Sequence, residues 1–112
     1  MKPLSKSALK DFMERFEYFK DGEIREIEIK SPTNIAITIA AQDVSRAYDW
    51  VTVKLEFEGV SSASLIENNQ LQFLDMSNGI DIKNHNNYFT FGMKSATLHI
   101  ESLSLKYDEG SF

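Results

Sequence analysis

Val51-Thr52-Val53-Lys54-Leu55-Glu56-Phe57-Glu58 changes from apolar to polar at every step. Successive side chains of a strand point to opposite faces, so this period of two puts Val51, Val53, Leu55 and Phe57 on one buried side. The same rhythm runs on both sides of the stretch. Ile27 and Ile29 alternate with Glu26, Glu28 and Lys30, and after the turn Ser31-Pro32-Thr33-Asn34 the residues Ile35, Ile37, Ile39 and Ala41 alternate with small ones. Leu71 and Phe73 predict a strand before Asn78-Gly79, a hairpin signal. Ile80 and Ile82 and then Tyr88 to Phe91 give shorter strands. The last strand begins with Leu98 and Ile100, whereas Leu103, Leu105 and Tyr107 fall out of phase with them. One extra residue near Glu101-Ser102 restores the inward face, as a β-bulge does.

Ahead of the strands the period is helical. Leu9, Phe12, Met13, Phe16 and Phe19 share one stripe, with Lys6, Lys10, Asp11, Glu14, Arg15 and Glu17 opposite. Ser5 or Ser7 can cap the start, and Asp21-Gly22 supplies a stop, so a helix over residues 5–19 is predicted. A partner helix or a membrane-surface anchor would also be amphipathic. This polar face mixes both signs, however, and fits a helix packed on its own sheet. The reading is an α+β fold: an N-terminal amphipathic helix on a curved antiparallel sheet, a half-barrel or small sandwich of about seven strands. Residues 1–112 form a single domain, with no repeat, low-complexity tract or linker.

Composition narrows the chemistry. Seventeen acidic against twelve basic residues give a formal charge of -5, which argues against nucleic acid and against an anionic membrane surface. No cysteine is present, which removes disulfides and thiolate zinc sites. No run approaches the ~18 apolar residues of a membrane span, and no apolar run follows Lys2 as in a signal peptide. A cytoplasmic protein without cofactor or metal is expected.

Few side chains suit catalysis. Gly59-Val60-Ser61-Ser62-Ala63 echoes a nucleophile elbow, and Asp75 or Asp81 followed by His85 or His99 completes its chain order. That motif needs a parallel sheet with crossover helices, which this chain lacks. An ordinary turn is the expectation, and a hydrolase or metal-dependent enzyme is the remote alternative. His99, on a strand face with Thr97 and Glu101, lacks the ligand spacing of a zinc site, so a solvent-facing histidine is expected even with Asp81 or Glu56 as neighbours. Asn84-His85-Asn86 reads as a structural turn, and as a ligand loop in the alternative.

The connection of residues 43–50 is richer. Arg46, Tyr48 and Trp50 are the residue types that most often anchor protein interfaces. Trp50 falls on the polar phase of its strand, so its indole faces solvent or a partner, or else folds over the sheet edge to cap the core. The usual burial of large apolar groups weighs toward the cap. Glu56 and Glu58, with Glu26 and Glu28, lend the outer face an acidic lean that would receive a basic partner.

Phe16-Glu17-Tyr18-Phe19-Lys20-Asp21-Gly22-Glu23-Ile24, with Val53-Lys54-Leu55-Glu56-Phe57-Glu58-Gly59-Val60 further on, resembles a loose group of small bacterial proteins. Some members are grouped with the immunity proteins of polymorphic toxin systems. The resemblance covers residues 16–60, and Lys20 stands where the group more often has histidine. It implies a small bacterial α+β protein that binds rather than catalyses. The expected function is thus a non-catalytic protein-interaction module, immunity-like or a complex accessory, acting as a monomer or weak homodimer. A free strand edge near residues 80–83 would serve the homodimer. The alternative is a small-ligand domain with a pocket between helix and sheet, lined by Phe12, Phe16, Phe89 and Phe91.

Overall fold

The alternating segments pair into one open sheet in the computed structural model, which describes residues 1–93 and 96–112. Its strands are β1 (Lys2–Pro3), β2 (Glu23–Ser31), β3 (Asn34–Asp43), β4 (Asp49–Ser64), β5 (Asp81–Asn84), β6 (Phe89–Gly92) and β7 (His99–Ser111). The order is β2-β3-β4-β7-β6-β5, all neighbours antiparallel, with β1 beside the far end of β7. β3 and β4 pair without interruption from Asn34 opposite Glu58 to Asp43 opposite Asp49. Val51, Val53, Leu55 and Phe57 are buried beside Ile35, Ile37, Ile39 and Ala41, as period two requires.

The phase change in the last strand is real, and both strands accommodate it. Buried side chains switch phase between Ser102 and Leu105, leaving Leu103 exposed. Gly59 faces Leu103 across the ladder at φ +67, where a Cβ would press on the leucine. The unpaired bulge residue is Ser61 of β4, between Val60 opposite Ser102 and Ser62 opposite Glu101. Residues 59–63 therefore lie within β4, with no strand-to-helix turn to expose a nucleophile.

The helix is shorter than its apolar stripe. A 3₁₀ turn, Lys6–Ala8, is capped by Ser5 Oγ accepting from the Ala8 N–H at 3.3 Å, and α1 spans Leu9–Arg15. Glu17, Tyr18 and Phe19 then take φ of 53, 58 and 58, a left-handed turn, and Asp21 repeats it at 58. Gly22 does not supply the left-handed stop. It is needed instead because a Cβ there would lie 2.7 Å from the Ala40 carbonyl. Each L-residue held left-handed costs roughly 1–2 kcal/mol. Burial of Phe16 and Phe19, stacked at 5.7 Å, offsets this at roughly 1.5–3 kcal/mol per ring. The Tyr18 carbonyl accepts from the Ile80 N–H at 2.8 Å, and the Asp21 N–H donates to the Met76 carbonyl at 2.9 Å.

Leu71 and Phe73 are not in a strand. Asn68–Phe73 is a 3₁₀ helix against β2, with Leu71 buried and Phe73 exposed. Asn78-Gly79 makes no hairpin either. Gly79, at φ +69, closes a turn onto Met76 and packs on the Tyr18 carbonyl, where a Cβ would collide.

Phe12, Phe16, Phe89 and Phe91 are all buried in one apolar cluster, and Phe12 also borders a cleft of about 240 Å³ beside Leu4, Arg15 and Tyr107. Phe12 meets Phe16 edge-on at 5.1 Å, and Phe91 meets Phe57 at 5.2 Å. β2 and β5 are the edges of the sheet. Among the described residues, no helix is long and apolar enough to cross a membrane.

Candidate functional site

The β3–β4 connection is held by an ion-pair network. Asp43 ends β3 and is fully buried, 0 % exposed. Its carboxylate accepts from the Ser45 N–H at 3.0 Å and the Ser45 hydroxyl at 2.6 Å, capping the 3₁₀ turn Val44–Arg46. Arg15 of α1 donates to the same carboxylate from Nε at 3.0 Å and Nη2 at 2.7 Å. The fork continues to Glu109 of β7, reached by Nη1 at 3.1 Å and by Nη2. Bidentate pairing of this kind fixes direction as well as distance. Hydrogen bonds from Arg15 hold the Asp43 carboxyl down at about 2, against the opposing effect of burial, and the two carboxylates raise the Arg15 pKa.

Outward from this anchor the loop is tied by backbone hydrogen bonds but exposed. Ala47 and Tyr48 take φ of 54 and 66, the Tyr48 N–H donates to the Asp43 carbonyl at 2.9 Å, and Gln42 Nε2 donates to the Tyr48 carbonyl at 3.3 Å. Tyr48 is 52 % exposed and Trp50 42 %. Trp50 does not cap the core. It sits opposite Gln42 on the outer phase and leans on Phe112, ring centres 5.8 Å apart. The Arg25 guanidinium of β2 covers the other part of this cluster, 4.3 Å from the Phe112 ring centre. Arg46 is exposed beside a cleft of about 460 Å³ lined also by Lys2, Asp108, Glu109, Gly110 and Ser111.

Arg46, Tyr48 and Trp50 are thus all exposed within one short connection, whereas Glu56 and Glu58 lie farther along β4. Six to eight residues along one strand is roughly 20–27 Å. Those carboxylates are also engaged: Lys30 pairs with Glu56 at 3.3 Å and Lys106 with Glu58 at 2.9 Å. Burial penalises the Glu56 charge, but hydrogen bonds from Asn34 and Lys30 outweigh it and leave the pKa lowered. Glu56 and Glu58 are thus held in internal ion pairs.

Asn84, His85 and Asn86 form the tip of the β5–β6 hairpin. His85 stacks on Tyr88 at 4.9 Å and shares a 3.0 Å hydrogen bond with Thr90, while Asn84 Oδ1 accepts from the Asn86 N–H at 3.1 Å. Asn86 is left-handed, φ 75, and Lys6 Nζ reaches its side chain at 3.4 Å. These contacts are those of a turn. His99 lies level with Gly92 and Asp81 across β6 and β5, and its partner is Glu101 at 3.4 Å. No group of three or more metal-ligating side chains occurs among the described residues.

Sequence reasoning missed Arg15, Glu109, Arg25 and Phe112. Asp43-x-Ser45 carries the one available signal, an aspartate capping the residue two ahead. Arg15, Glu109, Arg25 and Phe112 all join the cluster only through tertiary packing.

No family model, curated protein or solved structure matches the chain.

Proposed function

We propose that the chain is a non-catalytic protein-interaction module whose contact surface centres on Arg46, Tyr48 and Trp50, extended by Phe112 and Arg25. The observation that carries this reading is the combination of half-exposed aromatics with a backbone already fixed by the Asp43–Arg15–Glu109 network. Aromatic and arginine side chains are the usual interface anchors, and a preformed loop loses little entropy on binding. Burial of Phe16, Phe89 and Phe91 in one apolar cluster supports this reading over a small-ligand pocket lined by them. The proposed setting is the bacterial cytoplasm, with a toxin-like or complex-forming protein as partner, in line with the resemblance of residues 16–60.

The test has two stages. A partner recovered from bacterial lysate with the wild-type chain is purified, and its affinity is measured for wild type, Trp50→Ala and Arg46→Ala. The expected loss for Trp50→Ala is about 30-fold or more, the size of an interface hot spot. Affinities unchanged in both variants, with the fold intact by circular dichroism, would reject this surface.

A further inference from the structure

The left-handed turn at residues 17–21 and the start of β5 border a cleft that shares no residue with the Arg46–Trp50 surface. It holds about 240 Å³. Buried Gly79 and Ile80 line it together with exposed Tyr18, Lys20, Asn78 and Asp81. Its walls are tied by backbone hydrogen bonds. The Ile80 N–H donates to the Tyr18 carbonyl at 2.8 Å, and those of Asp21 and Gly79 donate to the Met76 carbonyl at 2.9 and 3.0 Å. A site preformed in this way loses little entropy when it fills.

These bonds also narrow what the cleft can recognise. A phosphate or carboxylate group favours converging backbone N–H groups. Here the N–H groups of Lys20, Asp21, Gly79 and Ile80 are all committed to carbonyls of the chain. Charge disfavours an anion as well. Asp81 pairs with Lys83 at 3.6 Å, and Lys20 shares its turn with Glu17 and Asp21. What the cleft offers is side-chain chemistry. Among the described residues, the Tyr18 hydroxyl, the Lys20 ammonium and the Asn78 carboxamide make no hydrogen bond or ion pair with the protein. The β5–β6 tip is different, since His85 there is bonded to Thr90 and stacked on Tyr88.

We propose that this cleft binds a neutral saccharide unit. Each hydroxyl of a pyranose both donates and accepts. Tyr18, Lys20 and Asn78 supply the donors, and Asn78 and Asp81 the acceptors. The C–H face of a sugar ring is apolar and suits an aromatic surface, and Tyr18 is 40 % exposed. The volume is below that of a drug-sized pocket and fits a single ring.

Amide chemical shifts of the full chain, titrated with glucose, galactose, mannose and N-acetylglucosamine, test the assignment. Saturable shifts centred on Lys20, Gly79 and Asp81 are expected for at least one sugar, with a Kd of about 1 mM. Asn78→Ala and Asp81→Asn are each expected to weaken that binding by about fivefold or more. Inorganic phosphate, titrated in parallel, is expected to leave these amides unmoved. Absence of a saturable shift at the cleft with every one of these sugars would overturn the proposal. So would phosphate moving these amides where the sugars do not, or a sugar that binds both variants as tightly as wild type. The wild-type titration alone decides the matter if a variant fails to fold.

Discussion

Asp43 shows how one buried carboxylate can shape an exposed surface. Burial alone would favour its neutral form, yet two N–H donors of Arg15 and two donors of Ser45 keep it charged. Its pKa is depressed on folding, so the unfolded chain binds the proton more tightly. The stabilisation is complete above the ordinary aspartate value and is lost as pH falls from about 4 toward 2. Acid titration of unfolding free energy is expected to show a loss of roughly 2 kcal/mol over that interval, absent in Asp43→Asn. At pH 7, Asp43→Asn removes the charge opposite a part-buried Arg15 and is expected to cost about 2–4 kcal/mol by urea unfolding. In sequence, Arg15 looks like any other polar residue on the outer face of a helix. Its partners are 28 and 94 residues away, beyond the reach of periodicity.

Spacing along α1 and its continuation shows what local pattern conveys and what it omits. Apolar positions continue at helical intervals through Phe19, and all of them are buried, so the buried face is correctly foreseen over residues 5–19. The reversal of handedness at residues 17–19 leaves no trace in that spacing, because side-chain burial is kept while the backbone is inverted. The inverted turn depends on the segment it touches. Gly79→Ala would force a Cβ against the Tyr18 carbonyl and strain a left-handed backbone. The expected loss is about 2 kcal/mol or more in urea unfolding, larger than the ~1 kcal/mol of an ordinary glycine replacement. For Leu71 and Phe73, spacing of two was compatible with a strand. The docking of Asn68 onto β2 selects the 3₁₀ turn instead.

Across the whole molecule, α1 and both halves of the sheet contribute to one apolar cluster, from Leu4 to Leu105. Urea unfolding is therefore expected to show one transition. Phe91→Ala, which empties a fully buried site against Phe57, should lower the midpoint by the equivalent of about 3–5 kcal/mol with an unchanged slope. Two separate transitions would contradict a single core. The strands with strict alternation, β2, β3 and β4, and the short β5 and β6 were legible in sequence. Their lateral order was not, because burial fixes which face turns inward but not which strand lies beside which. The placement of the interface residues has the same origin: Trp50 was on the outer phase in sequence, whereas Phe112 and Arg25 reach it only across the finished sheet. That placement gives the molecule a built-in optical reporter. Trp50 is the sole tryptophan. Its emission arises at the half-wet aromatic cluster rather than in the core, so occupation of that surface changes the signal of the native chain without any attached dye.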